Sequence, residues 1–122
     1  ENREYLGGAI LPGLGISLDA LAARTAKLPR VDIECPPKSI IGRTTVDAIR
    51  SGLLIGTGGM VDRMVERLSG ELTDDPDAIR LIGTGGMAHL IAPYSKSLRT
   101  IDPHLTLRGL QIIYQMNRGH AE

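Results

Sequence analysis

The sequence has no tryptophan and no phenylalanine, and only three tyrosines (Tyr5, Tyr94 and Tyr114) among 122 residues. A core built without large rings must be aliphatic, from Leu, Ile, Val, Ala and Met. The same scarcity removes the stacking platforms on which single-stranded nucleic acids bind. Charge excess is missing too, since 14 basic residues balance 14 acidic ones. A chain drawn to a phosphate backbone needs a basic surplus, so nucleic acid is not an expected partner. A single cysteine, Cys35, cannot close an internal disulfide and suits a reducing compartment. No stretch has the length and apolarity of a bilayer span, so no membrane partner is expected. The opening Glu1-Asn2-Arg3-Glu4 lacks the layout of a signal peptide.

What is present fits a globular chain. Apolar residues make up 42% and charged residues 23%, enough to bury a modest core in one domain or part of one. Glu1 to Glu4 reads as a polar turn, followed by a strand over Tyr5–Ile10 whose hairpin partner would precede it. Leu11-Pro12-Gly13 breaks that strand. Leu14, Leu18, Leu21, Ala22 and Thr25 recur at helical spacing, and Leu28-Pro29 ends the helix. Val31–Ile33 is a candidate short strand, and Pro36-Pro37 a stiff linker. Thr44 with Asp47 three residues on is a variant of the capping box, so a helix should start there. Val46, Ile49 and Leu53 continue one face, and Met60 to Leu68 carry a helical pattern to about Gly70. Between them lies Ile55-Gly56-Thr57-Gly58-Gly59, with glycines that each cost roughly 1 kcal/mol in a helix interior. Either the helix meets a close neighbour there, or two helices join at a loop.

Thr73 to Asp77 is a loop, Ala78–Ile82 a strand, and Gly83-Thr84-Gly85-Gly86 a turn into a helix from Met87. Asp102-Pro103 opens the last helix, with Leu107, Leu110, Ile113 and Tyr114 on one side and Asn117 and Gly119 to close it. The hexapeptide Ile-Gly-Thr-Gly-Gly-Met occurs at Ile55–Met60 and again at Ile82–Met87. Six residues are too few for an architectural repeat. One copy is expected inside a helix, the other at a strand-to-helix turn.

Two segments can carry chemistry. The Gly83–Gly86 turn lets the backbone approach a ligand, with a helix start behind it. It is neither a Walker loop nor the dinucleotide fingerprint, and on spacing alone a tight packing turn is the better account of it. Gly42-Arg43-Thr44-Thr45 stands at a helix start, where hydroxyl and N–H groups can meet a carboxylate or phosphate. Simple capping by Thr44 needs no ligand, but it leaves Thr45 unassigned. His89, His104 and His120 lack metal-site spacing. Cys35 reads as a buried or loop thiol, and Asp74-Asp75-Pro76-Asp77 as a solvated loop rather than a calcium loop.

In this order, the segments Tyr5–Gly13, Leu28-Pro29, Gly42–Thr45, Ala48–Gly52, Thr84–Gly86 and Asp102–Leu110 resemble the C-terminal half of a type III pantothenate kinase. The resemblance implies an α/β fold, a ribonuclease-H-like (actin-like ATPase) lobe with a mixed sheet and flanking helices. It implies ATP-dependent phosphorylation of pantothenate at the head of coenzyme A synthesis. It further implies a divalent metal such as magnesium, a monovalent cation such as potassium, a cytoplasmic location and a homodimer with shared sites. Thr45 matches a threonine that contacts pantothenate from the neighbouring subunit. Thr84, Gly85 and Gly86 match the turn that faces the nucleotide. Gly7, Gly8, Pro12 and Gly13 match a structural motif near the cleft, and the glycines of Ile55–Met60 match a helix packed at the dimer contact. The catalytic aspartate, the cation-site aspartate and the substrate-holding arginine belong to an N-terminal lobe whose motifs are not found here. No catalytic residue and no metal ligand is therefore expected in this chain. The rival expectation is a non-catalytic actin-like module that binds a nucleotide or metabolite, or that dimerises.

Overall fold

The structure, a computed structural model, describes residues 4–24 and 28–118. The expected roles of Glu1 to Arg3, Thr25, Gly119 and His120 lie outside them.

Thr44 starts the longest element. Its hydroxyl oxygen accepts from the Asp47 N–H at 3.1 Å, and the same hydroxyl donates to the Asp47 carboxylate at 2.9 Å. This reciprocal cap satisfies a donor that the first helical turn would otherwise leave open. Helix α2 follows as Thr45–Leu72, 28 residues and roughly 42 Å long. It runs through Ile55–Met60 without a break, so a loop between two helices is excluded. Thr73 closes it, donating its N–H to the Ser69 carbonyl at 3.1 Å.

The other elements gather around α2. Helix α1, Leu14–Arg24, packs on it through Leu14 and Leu18. Helix α3, Ala88–Ile91, and the 3-10 turn Ala92–Tyr94 pack against α2 as well. Leu54 is the most enclosed side chain, at 1% exposure, and Leu14, Ile33, Ile91 and Leu98 complete its cluster. The core is thus aliphatic, as the missing rings require.

Gly58 is where the close neighbour lies. It is buried, and a Cβ on it would overlap the carbonyl group of Tyr94. The expected dimer contact is not needed to explain this glycine, because its neighbour belongs to the same chain. Gly56 and Gly59 face open space.

The mixed sheet is where the structure departs from expectation. Among the described residues there is no strand, only an isolated parallel bridge between Gly83 and Ile101. Gly83 donates to the Thr100 carbonyl at 2.9 Å and accepts from the Asp102 N–H at 2.8 Å. Tyr5–Ile10, Val31–Ile33 and Ala78–Ile82 are not strands. The reason is the absence of a partner edge, because extended backbone becomes a strand only when a neighbour takes its hydrogen bonds. Val31 and Ile33 are nonetheless buried with Asp32 exposed between them, the alternation of a half-buried strand. Ala78 instead ends the 3-10 turn Pro76–Ala78.

Helix α4, Leu105–Arg118, is the last element, and none of its residues is buried. The Asp102 carboxylate accepts from the His104 N–H at 3.0 Å and from the Arg108 guanidinium. Those two contacts, the guanidinium first, hold its pKa below the ordinary carboxylate value.

Candidate functional site

The start of α2 is held by the loop that precedes it. Arg50 donates to the Asp32 carbonyl at 2.8 Å, and the buried Ser51 hydroxyl donates to the Ile40 carbonyl at 2.6 Å. These bonds pin the two ends of the 32–40 segment to the first turns of the helix, which fixes where Arg43 and Thr44 emerge. A cleft of about 460 Å³ opens there, lined by Lys38, Ser39, Ile41, Arg43, Thr44 and Asp47. Two cations beside a helix start make its mouth suited to an anionic or polar group. Thr44 is spent on the cap. Thr45 stands exposed at the first helical position, at the side of the cleft rather than in its lining.

The second segment is the turn at Thr84-Gly85-Gly86, all exposed. Gly85 has φ of 92°, in the left-handed region that glycine adopts without strain. The helix start behind the turn is weaker than expected. Helix α3 has only four residues, and its first N–H, from Ala88, already bonds the Gly85 carbonyl at 3.3 Å. The turn therefore offers bare glycine backbone rather than a strong helix dipole. Among the described residues, five clefts of about 180–570 Å³ are lined neither by Thr45 nor by Thr84 to Gly86.

Among the described residues, no three His, Cys, Asp or Glu side chains are grouped to hold a metal ion. His89 and His104 are exposed and apart in the chain. Cys35 is an exposed loop thiol 3.9 Å from the Asp32 carboxylate. Asp75 and Asp77 form an exposed local turn, with the Asp77 N–H donating to the Asp75 carboxylate at 3.0 Å. No described helix is long and apolar enough to cross a membrane.

A cluster that sequence reasoning missed sits on the middle of α2. The Asp62 carboxylate accepts from the Ser95 hydroxyl at 2.6 Å and from the Lys96 and Ser97 N–H groups at 2.9 Å each. Ser95 also caps the Leu98 N–H at 3.0 Å. The partners lie 33 to 35 residues away, so no local motif announces them. The Ser95 hydroxyl first, then the two N–H groups, hold Asp62 well below the ordinary carboxylate range. A carboxyl depressed in the folded state stabilises it above the unfolded pKa of about 3.9, and that contribution is lost as pH falls through the folded value. Asp62→Asn should therefore lower the melting temperature at neutral pH. The gap from the parent should narrow progressively below about pH 4. A gap that stays constant through the acid range would show that the charge is not what holds the segment.

Comparison with known proteins bears on all of this. The profile of the type III pantothenate kinase family matches residues 1–67. The type III pantothenate kinase of Rubrobacter xylanophilus is 46% identical over 119 residues, covering 96% of this chain and 45% of the relative. That of Citrifermentans bemidjiense is 50% identical over 118 residues, covering 97% and 45%. That of Pelobacter propionicus is 52% identical over 115 residues, covering 94% and 44%. The chain thus spans a little under half the length of these curated relatives. With a profile matching more than half of its length and identities near one in two across nearly all of it, the chain belongs to the type III pantothenate kinase family.

Proposed function

We propose that the chain is the C-terminal lobe of an ATP-dependent pantothenate kinase, contributing substrate and nucleotide contacts to a site completed elsewhere in a longer polypeptide. One observation carries this reading. Between 94% and 97% of the chain matches proteins named type III pantothenate kinase, over only 44–45% of their length. The reaction transfers a phosphoryl group from ATP to the pantothenate hydroxyl, giving 4'-phosphopantothenate, the first step of coenzyme A synthesis. The family is one of actin-like ATPases. In a ribonuclease-H-like lobe, the extended segments at Tyr5–Ile10 and Ala78–Gly83 would find their partner edges, which makes the mixed sheet part of the proposal.

Phosphoryl transfer is catalysed almost wholly by positioning and electrostatic stabilisation. In this reading Thr45 supplies a hydroxyl to pantothenate across a homodimer interface, and Thr84, Gly85 and Gly86 lie along the nucleotide. The exposure of Thr45 and the bare backbone at Gly85 and Gly86 support those roles. In this reading the divalent metal and potassium are held by the remaining portion, and no step is routed through them here.

The test uses the full-length polypeptide that contains these residues. It should phosphorylate pantothenate in the presence of ATP, whereas residues 1–122 alone should not. Thr45→Ala should raise the KM for pantothenate on the order of tenfold with kcat largely kept, the signature of a lost binding hydrogen bond of about 1.4 kcal/mol. Absence of transfer to pantothenate would overturn the function. An unchanged KM would overturn the role of Thr45.

A further inference from the structure

We propose that Asp62 is a positioning residue for the Thr84–Gly86 turn: it clamps residues 95–97 to α2, and the backbone that follows them seats the turn. This rests on the reading of that turn as the nucleotide contact of a pantothenate kinase. The starting observation is how the turn is held. Among the described residues, the hydrogen bonds that tie it to distant parts of the chain run through Gly83. Gly83 donates to the Thr100 carbonyl at 2.9 Å and accepts from the Asp102 N–H at 2.8 Å. It also rests on Leu98, since a Cβ added to Gly83 would lie 2.6 Å from the Leu98 Cδ1. The position of the turn is therefore set by residues 98–102.

That seat needs anchors of its own, because residues 95–100 belong to no helix or strand. Leu98 is one anchor, buried in the core cluster. Asp62 is the other. Its carboxylate accepts from the Ser95 hydroxyl and from the Lys96 and Ser97 N–H groups, and Ser95 accepts from the Leu98 N–H. Bonds to a charged acceptor are roughly twice as strong as neutral ones, and these fix three consecutive residues directly before Leu98. Four residues earlier, on the same face of α2, Gly58 admits the Tyr94 carbonyl. One face of the helix thus offers a gap for residue 94 and an acceptor for residues 95–97.

The chain of links sets which substrate feels the change. Freeing residues 95–97 loosens Leu98 and Thr100, then Gly83, then the turn. A shift of about 1 Å in a positioning group can cost on the order of 100-fold. Thr45 stands 62 − 45 = 17 residues away along α2, roughly 25 Å, and shares none of these links. Loss of the clamp should therefore fall on the nucleotide and spare pantothenate.

The test uses the full-length polypeptide, well below its melting temperature. Asp62→Asn should raise the KM for ATP at least fivefold and keep the KM for pantothenate within twofold. Hydrogen exchange, read amide by amide, should quicken at least tenfold at Gly83 and Asp102. Leu18→Ala, a packing change on α1, should lower the melting temperature and do neither. Gly85→Ala, strained at its φ of 92°, reports on the turn itself and should raise the KM for ATP. An unchanged KM for ATP in Asp62→Asn where Gly85→Ala raises it overturns the positioning role alone. Both KM values rising together, or Leu18→Ala reproducing the pattern, reduces Asp62 to a stabilising residue and overturns it too. If Gly85→Ala leaves the KM for ATP unchanged, or the parent transfers nothing to pantothenate, the nucleotide reading of the turn falls. The exchange result then decides alone: faster Gly83 and Asp102 amides in Asp62→Asn support the clamp on the turn, and unchanged ones overturn it.

Discussion

Gly58→Ala is expected to destabilise the protein, while the same change at Gly56 or Gly59 is expected to stabilise it. All three glycines lie in one hexapeptide inside α2, and alanine gains up to about 1 kcal/mol at each from helix propensity. At Gly56 and Gly59 nothing opposes that gain, because a Cβ there meets open space. At Gly58 the Cβ meets the Tyr94 carbonyl. The obstacle is backbone, which cannot swing aside as a flexible side chain can. Overpacking of this kind costs about 1–3 kcal/mol and reverses the sign. Gly58→Leu should cost more than alanine does. Denaturant midpoints at an unchanged slope would read the three signs directly. Destabilisation at Gly56 or Gly59 would mean that a neighbour outside this chain covers that face of α2.

Leu54→Ala is expected to have the largest effect of any single truncation in the core. Leu54 is the most enclosed side chain, at 1% exposure, and it touches the cluster of Leu14, Ile33, Ile91 and Leu98. Emptying such a site removes transfer energy and leaves a cavity, at a cost of about 3–5 kcal/mol. Domains are stable by only about 5–15 kcal/mol, so the variant should sit near its unfolding transition at ambient temperature. A calorimetric scan is the check. A loss below about 1 kcal/mol would mean that the surrounding residues collapse into the space, a freedom that a well-packed core lacks.

Local chemistry was legible in the sequence where its partners are near in the chain. The Thr44 and Asp47 cap, the helix behind it and the start of α4 at Asp102-Pro103 all depend on residues within one or two turns. Of the two copies of Ile-Gly-Thr-Gly-Gly-Met, the first lies inside α2 as read, and the second stands at the turn before α3 with no strand leading into it. What the pattern left open was which glycine needs its missing side chain, since that depends on Tyr94, 36 residues further on. The Asp62 cluster escaped notice for the same reason. The sheet was over-read. Tyr5–Ile10 and Ala78–Ile82 have the composition of strands, but composition does not supply the neighbouring edge. Of the candidate site, Thr45 and Thr84–Gly86 stand exposed where their motifs put them. What completes a site around them does not follow from these residues.

The open backbone at Tyr5–Ile10 bears on how the chain behaves in solution. Tyr5, Leu6 and Ile10 are 88%, 74% and 101% exposed, and no hydrogen bond links this segment to the other described residues. A short uncharged apolar stretch with free donors and acceptors is a template for pairing with any similar edge. Gly7 and Gly8 weaken it, and Pro12 stops it from lengthening. These breaks keep the sticky stretch to about one strand's length. Solubility of the isolated chain is then governed less by its balanced charge than by whether that stretch is occupied.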